Sequence, residues 1–207
     1  LLKGSELSKG TSQATTVPSL YLDADEYNET GIRIQADGHY DVIAAKTGAL
    51  VSRHSLPLPA GVTVAAVHKG SVLSGLIGFG LSNGQLLVAK PNYQSSFADN
   101  NKRSVTASLA FPYGEAPALI NADGRPLTQF YVRGDDSTLT VLAETSQGLE
   151  RVSFDFTGGE QSEGLTLGGD DTAPTEPTLT QSERIQLPYS GGDITDIVLG
   201  QEGVWGY

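Results

Sequence analysis

The sequence predicts an all-β fold of antiparallel meanders repeated along the chain, a partial β-propeller of the WD40-like kind with inserted loops. Three observations carry this expectation. Short alternating apolar segments are divided by glycine turns, the pattern of hairpin-connected strands. No stretch holds a long 3.6-residue apolar period between caps, so helix content is expected to be low. Turns of one kind also recur in one order, and glycine supplies 25 of 207 residues, well above the roughly 7% of an average protein.

The elements follow in order. Residues 1–16 carry Ser, Thr, Lys and Gly without a period and read as a linker or lead-in. The domain is expected to span 17–207, with order beginning near Val17. Residues 31–35 (GIRIQ), 39–45 (HYDVIAA) and 49–56 (ALVSRHSL) form a first unit around turns at Ala36-Asp37-Gly38 and Lys46-Thr47-Gly48. A second unit runs through 62–68 (VTVAAVH), 76–81 (LIGFGL) and 85–90 (QLLVAK), with Lys69-Gly70 and the strong hairpin signal Asn83-Gly84 between them. A third uses 129–133 (QFYVR), 138–143 (TLTVLA) and 149–156 (LERVSFDF). A fourth begins at 194–199 (ITDIVL), turns at Gln201-Glu202-Gly203, and reaches Tyr207 incomplete.

The middle-hairpin glycines Gly38, Gly84 and Gly148 lie 46 and 64 positions apart. The preceding turns at Gly70, Gly134 and Gly203 lie 64 and 69 apart. A propeller blade takes about 40–45 residues, so insertions are expected at about 91–125 and 157–181. The second is polar and rich in Gly, Asp, Glu, Thr and Pro, the composition of a mobile loop. A β-sandwich also gives short strands at regular spacing and is the alternative. The shared order of turns favours the repeat.

Charge and composition narrow the function. Thirteen Lys and Arg against 24 Asp and Glu give a net charge of -11, the wrong sign for displacing counterions from a duplex or for an anionic membrane surface. Nucleic acid is excluded as a partner. No cysteine occurs, so disulfides, zinc-thiolate sites and cysteine nucleophiles are absent. No apolar run reaches the roughly 20 residues of a membrane span. The start on Leu1 without Met, and the end inside a fourth unit, read as a piece of a longer protein.

No motif assembles a catalytic or metal centre. His39, His54 and His68 lack HxxxH, HxH or HExxH spacing and read as surface or rim residues. No GxSxG elbow accompanies them. The run from Asp23 to Asn28 begins like a calcium loop, but Tyr27, Asn28 and Ile34 stand where an EF-hand needs Asp or Asn, Gly and Glu. A solvated acidic turn is expected instead. Asp135-Asp136 and Asp170-Asp171 read as turn and loop carboxylates. The pairs Gly158-Gly159, Gly168-Gly169 and Gly191-Gly192 lack the GxxxxGK[ST] context of a phosphate loop. Phe111, Tyr113, Tyr131, Phe154 and Phe156 are expected in the core or on strand faces. Asn28-Glu29-Thr30 is a glycosylation sequon, relevant only in a eukaryotic secretory setting. No catalytic, metal or cofactor-binding residue is assigned, no cofactor is expected, and the chain is not read as an enzyme.

From Ser19 onward the chain resembles the Pst-type phosphate ABC transporter permeases that carry an enlarged extracytoplasmic domain. The resemblance rests on 37–48 (Asp37-Gly38 to Thr47-Gly48), LPLPAGVTV at 56–64, GLSNGQ at 80–85 and YGEAP at 113–117, and covers 18–130 most closely. It implies a bacterial inner-membrane protein of which this piece is the periplasmic domain. Phosphate would pass through transmembrane helices elsewhere, so no phosphate-coordinating residue carries over. The expected function is an interaction or regulatory scaffold for phosphate uptake, with the periplasmic phosphate-binding protein and the other transporter subunits as partners. The alternative is a propeller that senses phosphate or another small molecule, for which Lys102, Arg103 and Arg125 are the candidate cations. Open sheet edges predict either a homodimer through an edge or shielding by the inserted segments.

Overall fold

The computed structural model describes residues 17–97, 102–158 and 177–189, together with the backbone of 197–200 and 203–206. The lead-in at 1–16, Gly159, the pairs Gly168-Gly169 and Gly191-Gly192, and Asp170-Asp171 lie outside the described residues. Fifteen strands are described: β1 Ser19–Ala24, β2 Thr30–Gln35, β3 His39–Ala44, β4 Ala49–Ser55, β5 Val64–Lys69, β6 Ile77–Leu81, β7 Gln85–Phe97, β8 Arg103–Ala110, β9 Ala118–Leu119, β10 Phe130–Gly134, β11 Thr138–Thr145, β12 Gly148–Thr157, β13 Thr178–Gln186, β14 Ile197–Gly200 and β15 Gly203–Gly206. No helix among the described residues is long and apolar enough to cross a membrane.

The strands form three consecutive antiparallel meanders, β1-β2-β3-β4, β5-β6-β7-β8 and β10-β11-β12-β13. β9 pairs with the start of β7, and β14 pairs with β15. Successive four-stranded meanders stacked face to face are propeller blades, so the fold is all-β and propeller-like. Three stacked sheets of sequential strands replace the two facing sheets of the sandwich alternative. β14 lies against β10 and β11, on the third sheet.

Alternation within single strands builds both inter-sheet layers. In β7, Leu87 and Ala89 face the first sheet, while Leu86 and Val88 face the third. In β6, Ile77, Phe79 and Leu81 pack with Ile32, Ile34, Tyr40 and Val42 of the first sheet. The intervening Gly78 leaves its other face bare for the third sheet; a Cβ there would sit 2.6 Å from the Phe130 ring. Glycine in a strand commonly marks such a close approach. The second layer joins Phe130, Val132, Leu139, Val141, Val152 and Phe154 to Leu86 and Val88.

Gly38, Gly84 and Gly148 occupy the same place, the middle hairpin of each sheet, as their spacing predicts. At Gly84 the chain takes φ 83° and the amide bonds back to Leu81 O at 3.1 Å, a turn closed by a left-handed glycine.

Two segments differ from the expected insertions. Residues 91–125 carry the end of β7, all of β8 and β9, so they complete the second sheet. β7 changes partner near Lys90, leaving β6 and β9 for a long hairpin with β8 that ends at Phe97↔Arg103. Within 157–181, the last residues already belong to β13, which pairs with β12, while 159–176 lie outside the described residues. Each unit thus has four strands where three were read. Of the missed strands, β13 is exposed along most of its length, which erases the apolar alternation that marks a half-buried strand. β8 alternates between inward and exposed positions but fills them mostly with small or polar residues, and β1 is only half-buried.

The strings that carry the family resemblance serve as connectors. In LPLPAGVTV, Leu56 and Val64 are buried, and their amides bond to Gly38 O at 2.8 Å and Ala36 O at 3.0 Å, tying the first sheet to the second. In PYGEAP, Tyr113 is buried and its hydroxyl reaches Asp135 O at 2.8 Å at the β10–β11 turn. Burial, with nearby Asp135 and Asp136, pushes its phenol up to about 12.

Candidate functional site

Arg103 begins β8 and lies where the β7–β8 hairpin meets the first sheet. Its Nη2 donates to Glu29 Oε1 at 2.8 Å and its Nε to Oε2 at 3.3 Å, a two-pronged pair. The guanidinium also lies 3.6 Å from the centre of the Tyr27 ring, at cation–π distance. Hydrogen bonding to Arg103, with burial opposing, holds the Glu29 carboxyl below its usual range. Two further bonds fasten the hairpin: Thr30 Oγ1 donates to Val105 O at 2.9 Å, and the Tyr93 hydroxyl donates to Asp23 Oδ2 at 3.1 Å. Burial first, then the Asp23 charge, raises Tyr93 and takes Tyr21 to about 12.

The turn beneath exposes Glu26, Tyr27 and Asn28, as a solvated turn does, but buries one carboxylate at its centre. Asp25 is buried and its carboxylate accepts the amides of Tyr27 at 3.0 Å, Glu29 at 2.7 Å and Thr30 at 2.7 Å. Burial alone would raise this carboxyl; the three amides outweigh it and leave it lowered. Its short side chain organises the turn that presents Tyr27 and Glu29 to Arg103.

The candidate cations are therefore engaged separately. Arg103 is held by the first sheet, and Arg125 pairs with Asp123 at 3.1 Å in the loop after β9. Lys102 also has a partner. The histidines are dispersed as well. His39 lies beside Asp37, His54 stacks on Tyr40 at 4.9 Å, and His68 meets Thr128 O at 2.8 Å with its ring edge-on to Phe130. Among the described residues no three His, Cys, Asp or Glu side chains group as metal ligands would.

Pairing across β2, β3 and β4 puts Arg33, Asp41 and Arg53 side by side. Asp41 is fully buried, yet Arg33 Nη2 reaches it at 2.6 Å, Arg53 Nε at 2.7 Å and Gln35 Nε2 at 2.7 Å. The Arg53 hydrogen bond, against the cost of burial and with help from Arg33, holds its carboxyl low. A carboxylate so saturated is a structural anchor.

A groove that motif reading missed opens between the loop after β9 and the end of the third sheet. It measures about 590 Å³, and Ile120, Asp123, Gln147, Glu150, Gln181 and Arg184 are among its walls. Glu150 is buried; its Oε2 accepts from the Thr145 hydroxyl at 2.5 Å and from Arg184 Nη1 at 2.9 Å. Arg184 Nη2 crosses to Ile120 O at 3.0 Å, so one guanidinium ties the two sheets together. The available signal was Glu150 inside the apolar alternation of LERVSFDF, a charge placed where a core residue belongs.

These sheets and sites define a β-propeller-like module. No protein-family model matches the sequence, and no curated protein matches it. Similar solved structures include Kluyveromyces lactis Hsv2, at 12% identity and a TM-score of 0.43 over 84% of this chain and 49% of that one. Another is a chain in the complex of the fission yeast SREBP–SCAP binding domains, at 11% identity and a TM-score of 0.35 over 90% of this chain and 45% of that one. The chain spans about half the length of these structures.

Proposed function

We propose that this module is the periplasmic interaction domain of a Pst-type phosphate importer, a scaffold contacted by the phosphate-binding protein and the other transporter subunits at the bacterial inner membrane. The transporter setting comes from the LPLPAGVTV and YGEAP strings. One observation favours a scaffold over a phosphate sensor: Arg103, the best-placed candidate cation, is committed to Glu29 and Tyr27. An anion would have to displace a two-pronged carboxylate pair to use it. The chain's charge of -11 adds a field that repels phosphate.

Phosphate uptake tests the proposal in cells carrying the transporter with and without these residues. Removal is expected to lower uptake, whereas phosphate at millimolar concentration is expected to leave the thermal midpoint of the isolated chain unchanged. Normal uptake after removal would sink the scaffold reading. A phosphate-induced rise in midpoint would favour the sensor.

A further inference from the structure

The groove at Glu150 shares Gln147 with a second one. That neighbouring groove measures about 430 Å³ and is walled by Leu149, Gln186, Leu187 and Tyr189 among others. Each volume falls in the range of roughly 300–1,000 Å³ typical of small-ligand sites. Their shared wall calls for a ligand with at least two linked units, one on each side of Gln147.

The chemistry of the walls selects the ligand class. The charges of the wall are already paired, Asp123 with Arg125 and Glu150 with Arg184, and both ends of the Arg184 guanidinium are bonded, to Glu150 and to Ile120 O. That balance opposes an anion. The Gln147 amide offers donors and an acceptor, and Gln181 offers its Nε2 donors beside an Oε1 that accepts from Arg184. Gln186 offers its Oε1 while its Nε2 donates to the Gln147 carbonyl. Together they complement a hydroxyl, which is itself donor and acceptor. Thr145 and Arg184 both bind Glu150 Oε2, and neither uses Oε1. The Tyr189 ring adds one amphipathic surface beside these polar groups. The Glu150–Arg184 bridge is fixed from both sheets before any ligand arrives, which lowers the ordering cost of binding.

We propose that the two adjoining grooves bind a neutral oligosaccharide, with Gln147 as the contact shared by its consecutive sugar units. This site is independent of the transporter setting. The test is an amide-resonance titration of the 207-residue chain with chitotetraose, maltotetraose and cellotetraose at millimolar concentration, and with inorganic phosphate and a neutral tetrapeptide as comparisons. At least one tetrasaccharide is expected to shift the resonances of 145–150 and 181–187 saturably. Gln147→Ala, a change at an exposed side chain, is expected to weaken that binding at least tenfold with no change in thermal midpoint. Gln181→Ala gives a second, independent reading on the far wall. The proposal is overturned if no tetrasaccharide shifts these residues, if phosphate or the tetrapeptide alone does so, or if both variants bind as the parent does.

Discussion

Arg103 and Glu29, 74 positions apart in the chain, meet through two hydrogen bonds of 2.8 and 3.3 Å while the same guanidinium covers the Tyr27 ring. The contact joins the second sheet's long hairpin to the first sheet's opening turn, two places where the sequence suggested only loop charges. Arg103→Ala is expected to release the hairpin, seen as faster amide hydrogen exchange along β8 and quicker proteolysis near its tip. Glu29→Gln should do much the same, and the double variant should be little worse than either single one. Fully additive effects would show that the two side chains act independently.

Asp41 supplies the acid sensitivity of the first sheet. Its folded-state carboxyl lies below the unfolded value of about 3.9, chiefly through the Arg53 hydrogen bond. Its contribution is therefore present above that value and is lost as pH falls through the folded one. Asp41→Asn is expected to cost about 2 kcal/mol at neutral pH, less than the 3–5 kcal/mol of a fully buried pair because both arginines keep contact with water. The gap between parent and variant in urea-unfolding free energy should close as pH drops from about 5 towards 2. A gap that stays constant would remove Asp41 from the acid transition.

Two glycines with left-handed backbones separate strain from crowding. A Cβ on Gly84 would lie 2.7 Å from Asn121 O, whereas one on Gly48 would meet nothing within 4 Å. Gly48→Ala is expected to cost about 1–2 kcal/mol from conformation alone. Gly84→Ala should cost more, because the loop whose Ile120 and Asn121 amides donate to its carbonyl must also move. Chemical denaturation of both variants checks the order, and equal losses would contradict it.

Phe79, fully buried between the first and second sheets, tests the stacking of blades. Phe79→Ala is expected to lose about 3–5 kcal/mol in denaturant unfolding. Phe79→Leu should lose far less, since it keeps most of the volume. A loss below about 1 kcal/mol for the alanine variant would show that this layer does not hold the sheets together.

The inner strands were legible because each buries at least one face: IGFGL and QLLVAK alternate between two neighbours, and their turns need glycine for a left-handed bend. The outer strands were not. RSVTASLA turns Val105, Ala107 and Leu109 inward, but small and polar neighbours keep that alternation weak, while TLTQSERIQ turns mostly polar residues to water. Both owe their place to pairing with β7 and β12, information held in other parts of the chain. β1 is half-buried, with Leu20 and Tyr21 against the core, and does not stand out before its pairing with β2 is known. The groove escaped notice because Glu150 and Arg184 stand 34 positions apart and meet only through the β12–β13 pairing. Arg103 stood out as a cation, but its partner Glu29 could not be named before the hairpin's path was known.

The most direct test of the scaffold proposal is a calorimetric titration of the 207-residue chain with the phosphate-binding protein of the same transporter, with and without phosphate. The account predicts saturable binding in which phosphate acts only through the state of the binding protein. No heat of binding at high concentration in either condition would contradict it.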